Sequence, residues 1–223
     1  PLGSDRGGGA GAMDVNWGEV AEWVGVAVFA LTGALVAARK GMDPFGFALL
    51  ATVTGIGGGS MRDVLLGQPV FWIVDPTDLV ICAAVGIFTY VAGTRVVGLM
   101  AAVRPRQLLL WADALGLGIF AVTGAQKAFW FGAHPITAVV LGTLTASFGG
   151  IIRDILAGEV PLVLRKEIYV TAAFLGSATF SVCVVLGLPY TVAGLAGFVA
   201  GFGLRALAIL RDWSLPPFAA RTG

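Results

Sequence analysis

Two short stretches carry the charged chemistry of this sequence. Residues 57–63 read GGGSMRD and residues 148–154 read FGGIIRD. Each sets two glycines two residues ahead of an Arg-Asp pair: Gly58, Gly59, Arg62 and Asp63, then Gly149, Gly150, Arg153 and Asp154. Gly57 extends the first glycine run. Hydroxyls cluster nearby, on Thr54 and Ser60 and on Thr145 and Ser147. Glycine disfavours a continued helix by about 1 kcal/mol relative to alanine. A break there frees carbonyls at the negative end of the preceding half-helix. Carbonyls and hydroxyls so placed suit a partly dehydrated monovalent cation such as potassium, held in transit. The short helix beyond the break has a positive end, which Asp63 and Asp154 complement. Arg62 and Arg153 need a partner or water. Candidate partners are Asp63, Asp154, and the acidic residues of the preceding helices, Glu22 and Asp113. Plainer roles compete: glycines for close helix packing, and Arg62 or Lys127 snorkelling to an interface.

These groups sit in a very apolar chain. Its 223 residues are 57% hydrophobic and 12% charged, with mean hydropathy +0.90. Soluble domains are nearer a quarter charged. Residues 23–38, 44–61, 79–94, 128–152 and 168–204 contain no Lys, Arg, Asp or Glu. Spans of about 17–25 apolar residues match a bilayer's hydrocarbon thickness. The sequence therefore predicts an all-α integral membrane protein of seven helices: 20–38, 44–67, 78–97, 107–129, 135–158, 167–186 and 190–210. The second and fifth are expected to break at their glycines. Unwound backbone at membrane depth must be buried in protein or line a wet cavity. In the seventh, Gly197 and Gly201 form a helix-contact motif.

A shift of 91 residues superimposes the chain on itself. Phe29, Thr32, Gly33 and Ala34 fall on Phe120, Thr123, Gly124 and Ala125, and Pro44 on Pro135. Thr54 falls on Thr145, Glu22 on Asp113, and the first Gly-Gly-x-x-Arg-Asp on the second. Shared apolar composition explains matched Ala or Leu, but not this set. Three spans per copy force the second copy to enter from the opposite side, an inverted repeat, and paired glycine-interrupted spans then point to a transport site. The expected divisions are 1–12, a tag scar and linker with Met13 as the native start; 18–99 and 107–188, the two repeats; and 189–223, a seventh helix with a cytoplasmic tail.

Short loops sort by charge. Arg39, Lys40, Arg95, Arg104, Arg106, Arg165, Lys166, Arg211 and Arg221 collect on one side; Asp14, Glu19, Asp75 and Asp78 lie on the other, with Lys127 as its main basic residue. The positive-inside rule puts the C-terminus in the cytoplasm and the N-terminus outside, in a bacterial inner membrane. All six tryptophans lie near span ends, as an aromatic belt would place them.

Several classes are excluded. No catalytic constellation is present, so an enzyme is not expected. Cys82 and Cys183 read as small buried hydrophobes, His134 as an interfacial residue, and no spacing suggests a metal. GIGGGS follows no strand and precedes no Lys, so it is not a nucleotide loop. No basic tract suggests nucleic acid, and no cofactor is expected.

GIGGGSMRDVLLG, DALGLGIFAVTGAQKA and ASFGGIIRDILAGEVPLVLRKEIY together closely resemble the prokaryotic trimeric intracellular cation (TRIC) channels over residues 18–210. The resemblance implies seven helices and a homotrimer in membrane lipid. It also implies one weakly selective, potassium- and sodium-permeable pore per protomer, along helices 2 and 5. The second break departs from the first, with Ser147-Phe148 where the first has Ile56-Gly57. The lipid-binding basic motif of animal relatives is not carried over to Lys127. Two alternatives remain: a secondary transporter of a small solute such as glycine, and a lipid-binding or assembly protein without flux.

Overall fold

A computed structural model describes residues 17–95, 105–164 and 168–213. The expected scar at 1–12, the end of the last tail, and Arg104, Arg165, Lys166 and Arg221 lie outside the described residues. Among those described, eight α-helices follow one another. They are α1 Trp17–Arg39, α2 Pro44–Leu65, α3 Phe71–Val74, α4 Thr77–Arg95, α5 Pro105–Trp130, α6 Pro135–Leu156, α7 Val170–Val185 and α8 Tyr190–Arg211. A 3-10 turn, Leu162–Leu164, sits between α6 and α7. Five helices are long and apolar enough to cross a membrane: α1, α2, α5, α6 and α8. The apolar stretches of α4 and α7 are shorter. The four-residue α3 has no counterpart among the seven expected helices.

Helices α2 and α6 begin and end alike. Each opens on proline, whose missing N–H is unneeded at that position. Asp43 caps α2 by accepting from the Gly46 amide at 2.7 Å, and His134 Nδ1 accepts from the Ile136 amide at 3.3 Å ahead of α6. Each stops just before a glycine in left-handed backbone, Gly67 at φ 66° and Gly158 at φ 67°.

The expected break is absent. Both helices run without interruption through their glycines, over 22 residues each. Freeing backbone groups in an apolar setting costs several kcal/mol per group, more than the propensity loss of a few glycines. The missing side chains serve contact instead. A Cβ on Gly58 would overlap the Thr145 carbonyl oxygen, and one on Gly149 would overlap the Thr54 carbonyl oxygen. Helices α2 and α6 thus cross backbone to backbone, in two contacts whose residues are 91 apart.

Around this crossing, α1 and α4 pack on α2, and α5 and α7 pack on α6. Helix α8 covers α7 and α5; Gly197 and Gly201 lie against Gly176 and Ala172 of α7, so this motif is used within the chain. Phe29 and Phe120 stack at 5.1 Å in the centre. The polarity is inverted relative to a soluble protein. Phe45 is 86% exposed, whereas Arg62, Arg153 and Arg205 are at most 2% exposed. An apolar exterior over buried charges is what lipid contact selects.

Candidate functional site

Near its C-terminal end, α2 holds Arg62 and Asp63 side by side. Arg62 Nε donates to Asp63 Oδ1 at 2.8 Å, and both its terminal nitrogens reach Glu22 Oε1 of α1 at 3.3 Å. Asp63 Oδ2 accepts the backbone amide of Phe71 at 3.0 Å, fixing the start of α3. Lys127 of α5 approaches the same carboxylate at 3.2 Å and lies 5.6 Å from the Phe71 ring centre. Arg62 is thus buried by Asp63, Glu22 and the Phe71 ring and does not snorkel.

The same arrangement recurs on α6. Arg153 Nε donates to Asp154 Oδ1 at 2.8 Å, and Asp154 Oδ2 accepts the Leu162 amide at 2.9 Å, fixing the 3-10 turn. Arg153 Nη1 reaches Asp113 Oδ1 of α5 at 2.7 Å and the Thr32 hydroxyl of α1 at 2.9 Å. Tyr169 closes this network beneath the Arg205 guanidinium, 5.4 Å from its ring centre. A buried charge is tolerated only when paired and hydrogen-bonded, which is why each arginine carries a fork of acceptors.

The two networks lie at opposite ends of the bundle. Glu22 is near the start of α1 and Arg39 at its end, about 25 Å apart along a helix axis. A crevice of about 200 Å³ opens at the first end, lined by Glu19, Glu22, Thr123, Gln126, Lys127 and Trp130. One of about 240 Å³ opens at the other, lined by Arg39, Arg106, Asp154 and Glu159. Between the two, Thr54, Thr145, Phe29 and Phe120 are packed and at most 2% exposed.

The hydroxyls expected as ion ligands bond into their own helices. Thr54 donates to Leu50 O at 2.5 Å, Ser60 to Ile56 O at 2.7 Å, Thr145 to Leu141 O at 2.6 Å and Ser147 to Thr143 O at 2.8 Å. Ser60 also accepts from Trp72 Nε1 at 2.7 Å. The carbonyls near Gly57, Gly58, Gly59, Gly149 and Gly150 stay inside helix. Cys82 is buried and Cys183 half-buried, both as free thiols. No group of three or more metal-ligating side chains occurs among the described residues.

Phe71, Trp72, Thr32, Tyr169 and Arg205 belong to these networks, yet sequence reasoning did not single them out as site residues. Thr32 carried a signal as part of the matched Thr-Gly-Ala. Tyr169 and Arg205 carried none, since they reach the site from α7 and α8 through packing alone.

Two buried arginine–carboxylate networks inside an apolar helical bundle define a polytopic membrane protein. A family profile described as glycine transporter matches residues 19–94 and again 110–185. The UPF0126 inner membrane protein YadS of Escherichia coli K12 is 40% identical over 213 residues, covering 93% of this chain and 97% of that protein. The solved TRIC trimeric intracellular cation channel orthologue from Rhodobacter sphaeroides is 45% identical, with a TM-score of 0.82, over 88% of this chain and 99% of that one. A prokaryotic TRIC channel solved in 0.5 M KCl is 30% identical, with a TM-score of 0.80, over 89% of this chain and 98% of that one. The chain belongs to this family, whose curated relatives carry the UPF0126 name and whose solved members are prokaryotic TRIC channels. The two solved relatives are described as channels, a class distinct from enzymes.

Proposed function

We propose that the chain is a potassium-permeable monovalent cation channel, acting as a homotrimer with one pore per protomer. The path follows α2 and α6 from one crevice to the other. The observation that carries this is the pair of polar crevices at opposite ends, one lined by Glu22 and Lys127 and the other by Asp154. Each crevice reaches one buried Arg–Asp network, and the packed crossing of α2 and α6 separates them. In this reading the described conformation is closed. Separation of the crossing, with the arginines turning from one carboxylate to another, opens it. The likeness to solved TRIC channels supports the same reading.

The wider proposal is an inverted repeat over 18–99 and 107–188, seven spans, and an inner-membrane location with the N-terminus outside. It is supported by the matching bonds of residues 91 apart and by the basic residues at the Arg39 end.

The test is potassium current from purified protein in liposomes, with glycine uptake measured alongside. Stepwise current without added solute is the expected result. The family's glycine-transporter description favours a second reading: saturable glycine uptake without current would replace the channel.

A further inference from the structure

The matched glycines Gly59 and Gly150 face different surroundings. A Cβ on Gly59 would meet the Phe71 ring at 2.7 Å, so aromatic carbon covers that side of α2. For a Cβ on Gly150 the three nearest atoms are polar side-chain ends. Tyr169 Oη would lie 3.1 Å away, Arg153 Nη2 3.6 Å and Asp113 Oδ1 3.7 Å. Gly150 thus sits where side chains of α5, α6 and the residue ahead of α7 converge.

Each of those side chains keeps one polar atom uncommitted. Asp113 Oδ2, Arg153 Nη2 and Tyr169 Oη have no hydrogen-bond partner among the described residues. All three residues are at most 1% exposed. Tyr169 stands beside the Asp113 carboxylate, outside bonding geometry. Arg153 and Asp113 share one direct bond, Nη1 to Oδ1 at 2.7 Å, although an arginine and a carboxylate can form two in parallel. A buried polar atom without a partner is costly, and folded proteins hold few of them. Here three surround one glycine.

The chemistry of the three atoms selects the occupant. Arg153 Nη2 and the Tyr169 hydroxyl donate, and Asp113 Oδ2 accepts. The guanidinium repels a cation, and the carboxylate repels an anion. One water accepts from both donors and donates to the carboxylate, the three bonds that a buried water typically makes.

We infer that a single water molecule is held between Asp113, Arg153 and Tyr169, and that glycine at position 150 leaves room for it. The water forms the second leg of the Arg153–Asp113 pair. At the first end Arg62 needs no such device, because its partner Glu22 keeps 24% of its side-chain exposure and meets bulk water. The pair on α6 is sealed, so its water is built in. The water's use in opening rests on the channel reading: an exchangeable partner lets Arg153 leave Asp113 without stranding either charge. Its presence does not rest on that reading.

The test is high-resolution diffraction from crystals of the full chain, with Gly150→Ala alongside. In the parent protein a water peak is expected within about 3 Å of Asp113 Oδ2, Arg153 Nη2 and Tyr169 Oη. It disappears in Gly150→Ala. The nearest neighbour of that methyl, at 3.1 Å, is the end of a tyrosine side chain, so the fold persists. Thermal unfolding in detergent gives a second measurement. Alanine for glycine inside a helix ordinarily raises stability; with the water expelled, the midpoint falls by a few degrees instead. No peak among the three atoms overturns the inference, whether or not Tyr169 then bonds Asp113 directly. A peak that persists in Gly150→Ala, or a midpoint that rises, overturns it too. Potassium current without the peak keeps the channel and sinks the water. The peak without current keeps the water and sinks the channel.

Discussion

At the residue scale, each buried arginine depends on the carboxylates it meets. Arg153 donates to Asp154, Asp113 and Thr32, all fully or nearly buried. Arg153→Ala would strand two carboxylates in a dry setting, at a cost of about 3–5 kcal/mol. Arg62→Ala should destabilise less, because the Glu22 side chain keeps 24% of its exposure and can be hydrated. Thermal unfolding in detergent, read as the order of the two midpoints, checks this; equal midpoints would contradict it. The Arg-Asp pairs and their Glu22 and Asp113 partners were legible because the sequence repeats them. The roles of Thr32, Tyr169 and Arg205 were not, since their contacts join distant parts of the chain: Thr32 meets Arg153 121 residues on, and Arg205 reaches back 37 residues to the Ile168 carbonyl beside Tyr169.

At the element scale, the glycines separate local propensity from packing. Gly58→Ala and Gly149→Ala both drive a methyl into a backbone carbonyl of the facing helix. Backbone cannot step aside, so each should cost about 1–3 kcal/mol through overpacking. Gly57→Ala meets the Ile152 Cδ1 atom at 2.9 Å, the end of a flexible side chain, and should be milder. A chemical denaturation series ranks the three variants. Three equal, or three stabilising, effects would restore the unwound-helix picture. The sequence read these glycines as a break because isolated propensity is all that a local stretch displays. The apolar surroundings and the partner helix reverse that reading.

A second element-scale prediction concerns the join between α1 and the segment after α6. Glu159 accepts from Arg39 at 2.6 Å, with Lys40 at 3.4 Å. Partial burial pushes the Glu159 carboxyl up, and Arg39 and Lys40 together outweigh it, so it titrates below the usual glutamate value of 4.5. A lowered folded value means the bridge contributes fully above pH 4.5 and is lost as pH falls through the lowered value. Solvent screening keeps that contribution under about 1 kcal/mol. Glu159→Gln should therefore lower the midpoint slightly at pH 7 and flatten its fall below pH 4.5. Parallel curves for the two proteins would remove the bridge from the account.

At the scale of the whole molecule, native mass spectrometry should show three copies of the 22.9 kDa chain; a dominant monomer released intact from lipid would count against one pore per protomer of a trimer. Orientation is checked with a single cysteine placed at Gly41, which is exposed between α1 and α2, in a background with Cys82 and Cys183 replaced by Ala. An impermeant thiol reagent applied to intact cells should leave it unmodified, because the positive-inside rule puts this loop in the cytoplasm.

The membrane class, the positions of the long helices and the two Arg-Asp centres were legible in the linear chain. Length of apolar run, proline starts, glycine stops and a 91-residue echo are local or periodic properties, and a linear chain displays them. That α2 and α6 stay helical through their glycines, and meet there backbone to backbone, was settled by the fold alone. The fold also decided that Thr54 and Thr145 bond into their own helices, and that Gly150 faces polar side chains where Gly59 meets the Phe71 ring. Those outcomes depend on which backbone faces which across the crossing, and on how a buried charge chooses among the acceptors that folding places around it.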